Sequence, residues 1–245
     1  MRFLCSFLAA LILGCATPAP EAKAPAPPAP KPVAKVSHQP VALKIDYRPD
    51  TANRVARVVF DVPVDSESAG IAIDILDVAN QAGLDAVVIE FDTPGGSVDA
   101  GIKLAKAIEQ SKTEVVCIVD GMAASMGMYL LQSCHQRVMT PRSILMAHQP
   151  WMMGAGDEQD FENGSRLLSA LGKALSEHVC SRIKLPQAEC KEKFSNGREW
   201  WLNHQEALQV GAVDFVVASV PDTVECLRSS SGCPNPKGPL RIKAK

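Results

Sequence analysis

The stretch that most constrains the fold is a run of small and flexible residues at 121–127, Gly-Met-Ala-Ala-Ser-Met-Gly. Before it, the β-branched residues within 115–119 predict a buried strand of a parallel sheet. After it, residues 128–132 predict the start of a buried helix. Glycine and alanine between the two let the backbone turn sharply and approach a ligand closely. The stretch therefore predicts a strand–turn–helix unit with Ser125 at the turn.

A serine in this position has two interpretations. Its hydroxyl would stand clear of the sheet, and the first N–H groups of the helix would point at whatever the hydroxyl attacks. Alternatively, Ala-Ala-Ser before an apolar helix serves only close packing. The turn alone does not decide between a nucleophile and a packing motif.

Strand and helix patterns alternate along the chain up to His148. Asp65 and Ser66 are candidate N-caps, and Gly83 is a candidate left-handed residue after a helix end. Apolar runs predict strands at 57–62, 86–91, near 115, 137–140 and 143–147. Helical spacing predicts one helix between these caps and Gly83, a second over about 98–110 and a third from 128. The alternation predicts an α/β fold with a parallel sheet of βαβ units.

The pattern changes after His148. A long helix is predicted at about 160–183, with Pro186 ending it. Its wide apolar stripe favours either an oligomer interface or simple core packing. A further helix from Leu202, closed by Gly211, a last strand over 213–218 and a loop from Ser219 complete the prediction.

The N-terminal residues are predicted to be a targeting segment rather than part of the fold. Arg2 precedes an apolar run, Leu4 to Leu13, that is too short to span a bilayer as a mature helix. The sequence Ile-Leu-Gly-Cys at 12–15 resembles a bacterial lipobox, in which Cys15 becomes the lipid-bearing N-terminus. Residues 1–15 are therefore expected to be a lipoprotein signal peptide, with an ordinary cleaved signal peptide as the alternative.

The next segment, residues 16–40, is rich in Ala, Pro and Lys and cannot bury a core. It predicts an extended, semi-rigid tether. The folded domain is expected at 41–220 and a C-terminal tail at 221–245. Signal, tether and domain together predict a lipid-anchored protein of the bacterial cell envelope that faces the periplasm. Ala16, in place of an aspartate after Cys15, favours the outer membrane.

Six cysteines follow Cys15, and an even number in an exported chain favours disulfides. The sequence does not fix their connectivity. Local pairing would join Cys117 to Cys134, Cys180 to Cys190 and Cys226 to Cys233. We favour the last pair because it would close a short Ser/Gly turn. The chain contains neither CxxC nor HExxH, so no metal is expected.

Composition excludes several function classes. The net charge of −2 at pH 7 argues against a nucleic-acid surface, and the 5% aromatic content argues against stacking platforms for single strands. The 47% hydrophobic content suits one globular domain with extensions.

Four motifs occur in a fixed order along the chain. They are Pro-Gly-Gly-Ser-Val at 94–98, Ala-Ala-Ser-Met-Gly at 123–127, Met-Ala-His-Gln-Pro at 146–150, and Trp-Leu-Asn-His-Gln-Glu-Ala at 201–207 with Gly-Ala-Val-Asp at 211–214. In this order and at these spacings they resemble the proteolytic subunit of the Clp protease, ClpP, within the ClpP/crotonase superfamily. The resemblance covers about residues 57–218. It implies a ClpP/crotonase-like fold with a protruding long helix.

The resemblance implies roles residue by residue. Ser125 matches the family's nucleophile, and His148 matches the general base that takes its proton. Gly96 and Met126 match the positions whose backbone N–H groups form the oxyanion hole. Glu199 stands where the family has an aspartate, and a glutamate can also orient an imidazolium. Its longer side chain requires a slightly different backbone position.

Other polar residues are expected to have structural roles. Asp92 and Asp120 are alternative acids, but each precedes a turn, which is more typical of capping. Lys173 is a minor alternative base, since some relatives use a Ser–Lys pair. The remaining histidines on or beside predicted helices are expected to be structural: His135, His178 and His204.

The leading interpretation is an envelope serine endopeptidase that works without ATP or a cofactor and forms an acyl-enzyme on Ser125. A non-catalytic scaffold that kept the fold is one alternative. A crotonase-type acyl-CoA enzyme is another, although coenzyme A is cytosolic and the chain is expected to be exported. Relatives assemble as oligomers, so a homo-oligomer is expected.

The expected substrate is a peptide or an unfolded protein. An extended peptide could add as a β-strand between 95–98 and 150–156, with affinity from main-chain hydrogen bonds. Met126, Met152 and Met153 would offer an adaptable apolar wall.

Overall fold

The fold was analysed in a computed structural model, which describes residues 43–48, 52–195, 197–229, 233 and 240. The chain divides into two units, 1–38 and 39–245, and every described residue belongs to the second. The predicted signal peptide, Cys15 and the whole of the predicted tether at 16–40 lie outside the described residues. Within the described part, no helix has the length and apolar character needed to cross a bilayer.

The domain is built on an eight-stranded sheet. The strands are β1 (Lys44–Tyr47), β2 (Val55–Phe60), β3 (Ala86–Thr93), β4 (Glu114–Ala124), β5 (Gln136–Met139), β6 (Ile144–Ala147), β7 (Trp200–Asn203) and β8 (Phe215–Val216). Six of the strands lie in the order β1-β2-β3-β4-β5-β8. The strands from β2 to β8 in this order pair in parallel, and β1 pairs antiparallel to β2 at the edge of the sheet. The predicted α/β fold with a parallel sheet is confirmed.

The central strand, β4, has two successive partners on one side. Its first half pairs with β5, and its last three residues, Met122 to Ala124, pair with β6. Strand β7 then extends the sheet by pairing antiparallel to β6. The carboxyl end of β4 is consequently held between β3 and β6, at the point where Ser125 follows.

Seven helices surround this sheet in the described part of the chain. They are α1 (Ser66–Ala82), α2 (Val98–Gln110), α3 (Met126–Ser133), α4 (Glu158–Arg182), α5 (Gln187–Ser195), α6 (His204–Val210) and α7 (Val220–Arg228). The larger core contains apolar side chains of α1, α2, α3 and the C-terminal half of α4, packed with those of the strands. The N-terminal half of α4 contributes nothing to this core, as expected of a protruding helix.

The predicted helix boundaries at α1 and α2 are confirmed. Asp65 caps α1 by accepting hydrogen bonds from the backbone N–H groups of Glu67 and Ser68, and Gly83 ends it at φ 65°. A short polar side chain at the start and a glycine at the left-handed end satisfy backbone groups that a helix leaves unpaired. These local rules explain why the ends of this helix could be predicted from the sequence.

The predicted loop from Ser219 is wrong, because α7 forms there. Ser219 caps it by accepting a hydrogen bond from Asp222 N–H, and Val220, Val224 and Leu227 lie on its buried face. These residues cover the second face of the sheet in a separate apolar cluster with Val88 and other strand residues. The helix completes the domain, so the predicted tail at 221–245 begins with a structural element.

Three other elements were missed or misplaced. Strand β1 and helix α5 are short and carry several charges, so neither has a clear apolar period. The helix predicted from Leu202 starts two residues later, because Asn203 is its N-cap and Leu202 belongs to β7. The long helix predicted at about 160–183 is confirmed as α4, which ends at Arg182 before Pro186.

Two of the three predicted disulfides are present. Cys117 of β4 is bonded to Cys134, just after α3, and Cys180 of α4 is bonded to Cys190 of α5. All four residues are completely buried. The first bridge closes the segment that contains Ser125, and the second joins α4 to α5.

The favoured third disulfide is not formed, because Cys226 and Cys233 are free thiols. Burial and a hydrogen bond with Cys226 raise the pKa of Cys233 to about 12, which keeps its thiol protonated. Cys233 Sγ also donates to the carbonyl oxygen of Thr223 at 3.5 Å. Sequence spacing could not distinguish such a thiol pair from a bridge.

A polar cluster joins three helices beside the core. His178 of α4 has its Nε2 atom 3.1 Å from Ser133 Oγ of α3 and its Nδ1 atom 3.6 Å from a carboxylate oxygen of Glu109 of α2. Its ring also packs against Tyr129 of α3, with centroids 4.4 Å apart. Burial lowers the pKa of His178 below 6.5, and Arg182 lowers it further, against the opposite effects of Glu109 and the Tyr129 backbone.

We expect His178 to make stability depend on pH. Because its folded-state pKa lies below the unfolded value of 6.5, the unfolded chain binds more protons as the pH falls through that value. The unfolding free energy should therefore decrease on acidification, and His178→Gln should flatten this decrease. Chemical denaturation of both proteins between about pH 8 and 5 measures the effect. Parallel pH profiles for the two proteins would contradict it.

Candidate active site

Ser125 has an unusual backbone conformation. Its φ and ψ angles are 54° and −115°, and among the described residues it is the one non-glycine residue with positive φ. Such a conformation costs free energy and persists only where the surroundings enforce it, which occurs mainly at functional sites. This favours the nucleophile over the close-packing interpretation of the turn.

Two backbone hydrogen bonds hold the turn. Ser125 N–H donates to the carbonyl oxygen of Met146 in β6 at 2.8 Å, and Tyr129 N–H donates to the carbonyl oxygen of Ser125 at 3.2 Å. The Ser125 side chain does not cap α3, although capping is the usual role of a serine at a helix start. The hydroxyl is therefore available for another partner.

Small residues around Ser125 make the turn possible. A Cβ atom on Gly95 would lie 2.5 Å from the carbonyl oxygen of Ala124 and 2.8 Å from Ser125 Cβ, and one on Gly127 would lie 2.8 Å from Thr93 Cγ2. Gly95 also has φ 88°, which side-chain-bearing residues rarely adopt. Gly95 therefore lets its loop approach the backbone at Ser125 closely.

His148 lies directly beside the serine. Its Nε2 atom is 2.8 Å from Ser125 Oγ, which is hydrogen-bond distance. His148 follows β6, and Ser125 follows β4, so the pairing of these two strands brings the residues together. Both side chains are half-buried and border the same cavity. The sequence-predicted pair is therefore assembled in the geometry that a serine nucleophile and its base need.

A second serine–histidine contact joins Ser133 and His178, but its surroundings differ from those of Ser125 and His148. Ser133 is buried at 4% exposure and has ordinary helical backbone, whereas Ser125 follows a strand and opens onto a cavity. Ser133 also lies at the last turn of α3, where no orphan N–H groups point at it. The predicted structural role of His178 agrees with this environment.

The two predicted oxyanion-hole residues lie next to residues of the Ser125 turn. Met126 follows Ser125 as the first residue of α3, and the first N–H groups of a helix have no acceptor within it. Gly96 follows Gly95, the residue that approaches Ser125 closely. Val64 N–H donates to the carbonyl oxygen of Gly95, and the carbonyl oxygen of Val64 accepts a hydrogen bond from Ser97 N–H, so neither of these two bonds uses the N–H of Gly96.

Glu199 is not joined to His148 in this structure. Its side chain is exposed and accepts a hydrogen bond from the indole N–H of Trp201 at 3.0 Å. The β6–β7 register nevertheless ends with Ala147 opposite Trp200, so one more step would place His148 opposite Glu199. The third member of the predicted triad therefore lies one residue beyond the paired ends of β6 and β7, and it forms no hydrogen bond with His148 among the described contacts.

The alternative residues occupy structural positions. Asp92 accepts a hydrogen bond from Met122 N–H at 3.0 Å, and Asp120 accepts one from Thr140 Oγ1 at 2.7 Å. His135 Nδ1 accepts a hydrogen bond from Val115 N–H at 2.9 Å, in agreement with its predicted structural role. His204 lies at the start of α6, with its Nδ1 atom buried and unbonded. Lys173 is exposed and forms no hydrogen bond with Ser125 among the described contacts.

A small cavity of about 30 Å³ adjoins Ser125 and His148. Its wall is apolar and comes from four helices and the strand ends. The lining residues other than the pair are Val98, Met126, Met128, Tyr129, Ala147, Pro150, Leu175, Val179 and Phe194. Of these residues, the sequence placed Val98, Met126 and Pro150 beside the cleft. Tyr129 could have been found, since it follows Ser125 by one helical turn.

The loop between His148 and α4 borders the same site. Its main chain makes no hydrogen bond to other described backbone from 148 to 156, so it presents free donors and acceptors. Met152 packs toward Gly164 of α4, and Met153 is 87% exposed. The three methionines predicted to form one apolar wall are therefore separated. Met126 lines the cavity, whereas Met152 and Met153 lie farther along the loop.

Within the described residues, no group of three or more His, Cys, Asp or Glu side chains is arranged to hold a metal ion. The site places the Ser125 hydroxyl beside the imidazole of His148 at hydrogen-bond distance. These groups suit nucleophilic attack on a carbonyl carbon.

Comparison with protein-family models gives a match to the Clp protease family over residues 49–220. The match covers more than half of the chain and includes Ser125, His148 and Glu199. The chain belongs to the Clp protease family. Membership agrees with the α/β fold described above and supports a serine peptidase function in general.

We expect Gly95→Ala to abolish most of the activity of this Clp protease relative. The new Cβ would overlap the backbone beside Ser125, and φ 88° would be strained. A shift of about 1 Å can cost roughly 100-fold in rate, so kcat/KM for a peptide should fall at least that far. Gly70→Ala is the matched control, since a Cβ there meets nothing within 4 Å in α1. An active Gly95→Ala protein would show that the close approach is unimportant.

Proposed function

We propose that the protein is a serine endopeptidase that hydrolyses peptide bonds through an acyl-enzyme on Ser125. The observation that carries the proposal is the 2.8 Å contact between Ser125 Oγ and His148 Nε2, at a serine held in a strained backbone conformation. Membership of the Clp protease family supports the same reaction class.

In the first half of the reaction, Ser125 Oγ attacks the carbonyl carbon of the scissile peptide while its proton passes to His148 Nε2. The carbonyl oxygen becomes an oxyanion and accepts hydrogen bonds from the N–H groups of Gly96 and Met126. When the C–N bond breaks, the leaving amine takes the proton from His148. Water then attacks the ester, with His148 as base again, and releases the acid and free Ser125.

Glu199 is proposed as the group that orients His148 during this reaction. A carboxylate at the Nδ1 side fixes the tautomer of the imidazole and stabilises the imidazolium. The contact requires the Glu199 side chain to leave Trp201 and turn across the strand pair toward His148. A non-catalytic scaffold is the competing function, and the present Glu199–Trp201 contact is the observation that favours it.

An extended peptide is the proposed substrate. The free main chain of 148–156 and the glycine loop at 95–98 border the Ser125 cavity on two sides, which suits addition of the peptide as a β-strand. Peptides and unfolded chains meet this requirement without an unfolding motor. ATP-independent cleavage is therefore part of the proposal.

The proposed location is the outer membrane of the bacterial cell envelope, facing the periplasm, with Cys15 as the lipid anchor and 16–40 as the tether. The two buried disulfides support an oxidising compartment, because such bonds are rare in the reducing cytosol.

A homo-oligomer is proposed for the assembly. The N-terminal half of α4 and the adjoining loop expose large apolar side chains, among them Phe161 at 59%, Leu167 at 52% and Trp151 at 68%. Clustered exposed apolar residues of this kind often mark a protein interface. A second copy of the chain is the occupant that family membership favours.

We expect Glu199→Gln to lower kcat by roughly 100- to 10,000-fold with little change in KM, because an amide cannot stabilise the imidazolium. Glu199→Asp should retain more activity than the amide variant. Glu158→Gln, an exposed acid at the start of α4, is the control. Peptide hydrolysis measured by steady-state kinetics tests this. Unchanged kcat in Glu199→Gln would remove Glu199 from the mechanism.

We expect Leu167→Asp to weaken self-association, because it places a charge in the exposed apolar face of α4. Sedimentation velocity should show a shift to smaller species at equal concentration. Lys173→Asp, an exposed residue of the same helix outside that set of apolar residues, should sediment as wild type does. A monomeric wild type would contradict the proposed assembly.

A further inference from the structure

We propose that the outer edge of β1 is a docking surface for a second copy of the chain, whose own β1 pairs antiparallel with it across a two-fold axis. The inference goes beyond the proposed peptidase function and does not depend on it. It rests on the open edge of the sheet, on the apolar groove beside that edge and on the order of charges along β1.

Strand β1 lies at the edge of the sheet. Its four residues, Lys44–Tyr47, pair with β2 on one side, and no other described strand pairs with β1 on the opposite side. An edge strand presents backbone N–H and C=O groups to any strand that approaches it. Proteins often block such an edge with a proline or a bulge. Strand β1 contains no proline, and its register with β2 is regular over all four residues, so neither device is present.

The face of β1 toward α1 is apolar and exposed. Ile45 is 56% exposed, and Tyr47 is 42% exposed. They line a groove whose other residues include Ile71, Ile75 and Val78 of α1, and Val78 is itself 65% exposed. Contiguous apolar surface of this kind marks a site of protein contact. Because a two-fold axis perpendicular to the sheet keeps each face on its own side, two paired copies would bring their grooves together on one face of the joined sheet.

The order of residue types makes β1 complementary to itself. Leu43, Ile45 and Tyr47 are apolar, whereas Lys44 and Asp46 between them carry opposite charges. When the two Ile45 residues lie opposite each other, each Lys44 lies opposite an Asp46 and each Leu43 lies opposite a Tyr47. Opposite charges directly across a strand pair stabilise it, and like charges destabilise it. This register therefore gains two ion pairs and an unbroken apolar row.

The competing register is unfavourable. Only one other register pairs three of the four residues of β1 and keeps the two faces matched, and it is centred on Asp46. It would place the two Asp46 carboxylates opposite each other and each Lys44 opposite an Arg48. A slip by one residue would put apolar side chains on the charged face. The sequence of β1 thus selects the register centred on Ile45.

Contacts within the chain already hold the two charges at this edge. Lys44 Nζ donates to a carboxylate oxygen of Asp61 at 3.4 Å, and Asp46 accepts a hydrogen bond at 3.3 Å from Arg228 of α7. The side chains of Lys44 and Asp46 nevertheless remain 76% and 42% exposed. Both can therefore contact a partner strand while they keep these bonds.

The test is sedimentation velocity of the full chain with Leu167→Asp in every protein, because that change disrupts the separate apolar face of α4. This background protein should be a dimer. Adding either Lys44→Asp or Asp46→Lys replaces two ion pairs by two like-charge pairs and should raise the dissociation constant of the dimer at least about 10-fold. Lys103→Asp is the matched control, since it also removes an exposed Lys–Asp pair but lies on α2, and it should leave the constant unchanged.

Mixing the two charge variants should restore the dimer. In the proposed register, the Lys44→Asp protein opposes only aspartates to the lysines of the Asp46→Lys protein, so native mass spectrometry of the mixture should show the heterodimer. Circular dichroism confirms that each variant is folded, because Asp46→Lys gives up the contact with Arg228. Two folded variants that form no heterodimer would overturn the proposal.

Ile45→Lys in the same background breaks the dimer without touching that contact, because it sets two lysines opposite each other on the two-fold axis. It should also raise the dissociation constant at least about 10-fold. A background protein that is monomeric, or a dimer that neither Lys44→Asp nor Ile45→Lys weakens, would likewise overturn the proposal.

Discussion

The hydrogen bond from Ser125 N–H to the carbonyl oxygen of Met146 is the interaction on which the site depends. It joins the end of β4 to β6, close to the points where the two strands end and the segments with Ser125 and His148 begin. Ser125 begins the turn into α3, and His148 follows Met146 by two residues. One backbone contact therefore brings the hydroxyl to the imidazole at 2.8 Å. The strained φ of Ser125 is tolerated because the sheet and α3 hold both ends of the turn.

Much of this arrangement is readable from the sequence because it follows local rules. The caps at Asp65 and Gly83 define α1, and the β-branched run before Ser125 defines β4. The motif order supplied the pair of Ser125 and His148. Strand β7 and helix α5 escaped prediction because short elements gain their stability from tertiary packing and, in α5, from a disulfide. Helix α7 had a readable apolar spacing that was overlooked.

The parts of the site that the sequence could not supply are those set by distant contacts. Phe194 is 69 residues from Ser125 in sequence and borders the same cavity from α5, which a disulfide joins to α4. The orientation of Glu199 is likewise set by a contact that no motif encodes, its hydrogen bond with the Trp201 indole. The motifs indicate the pair of Ser125 and His148, whereas these surrounding contacts come from tertiary packing.

The most direct test of the account is covalent labelling by a fluorophosphonate, in which Ser125 Oγ would displace fluoride and bond to phosphorus. Intact mass and peptide mapping of the purified protein should show one adduct, on Ser125. The adduct should be absent in Ser125→Ala and form much more slowly in His148→Ala, because the base is missing. A folded wild-type protein that gains no adduct, or an adduct that persists in Ser125→Ala, would contradict the assignment of Ser125 as an activated nucleophile.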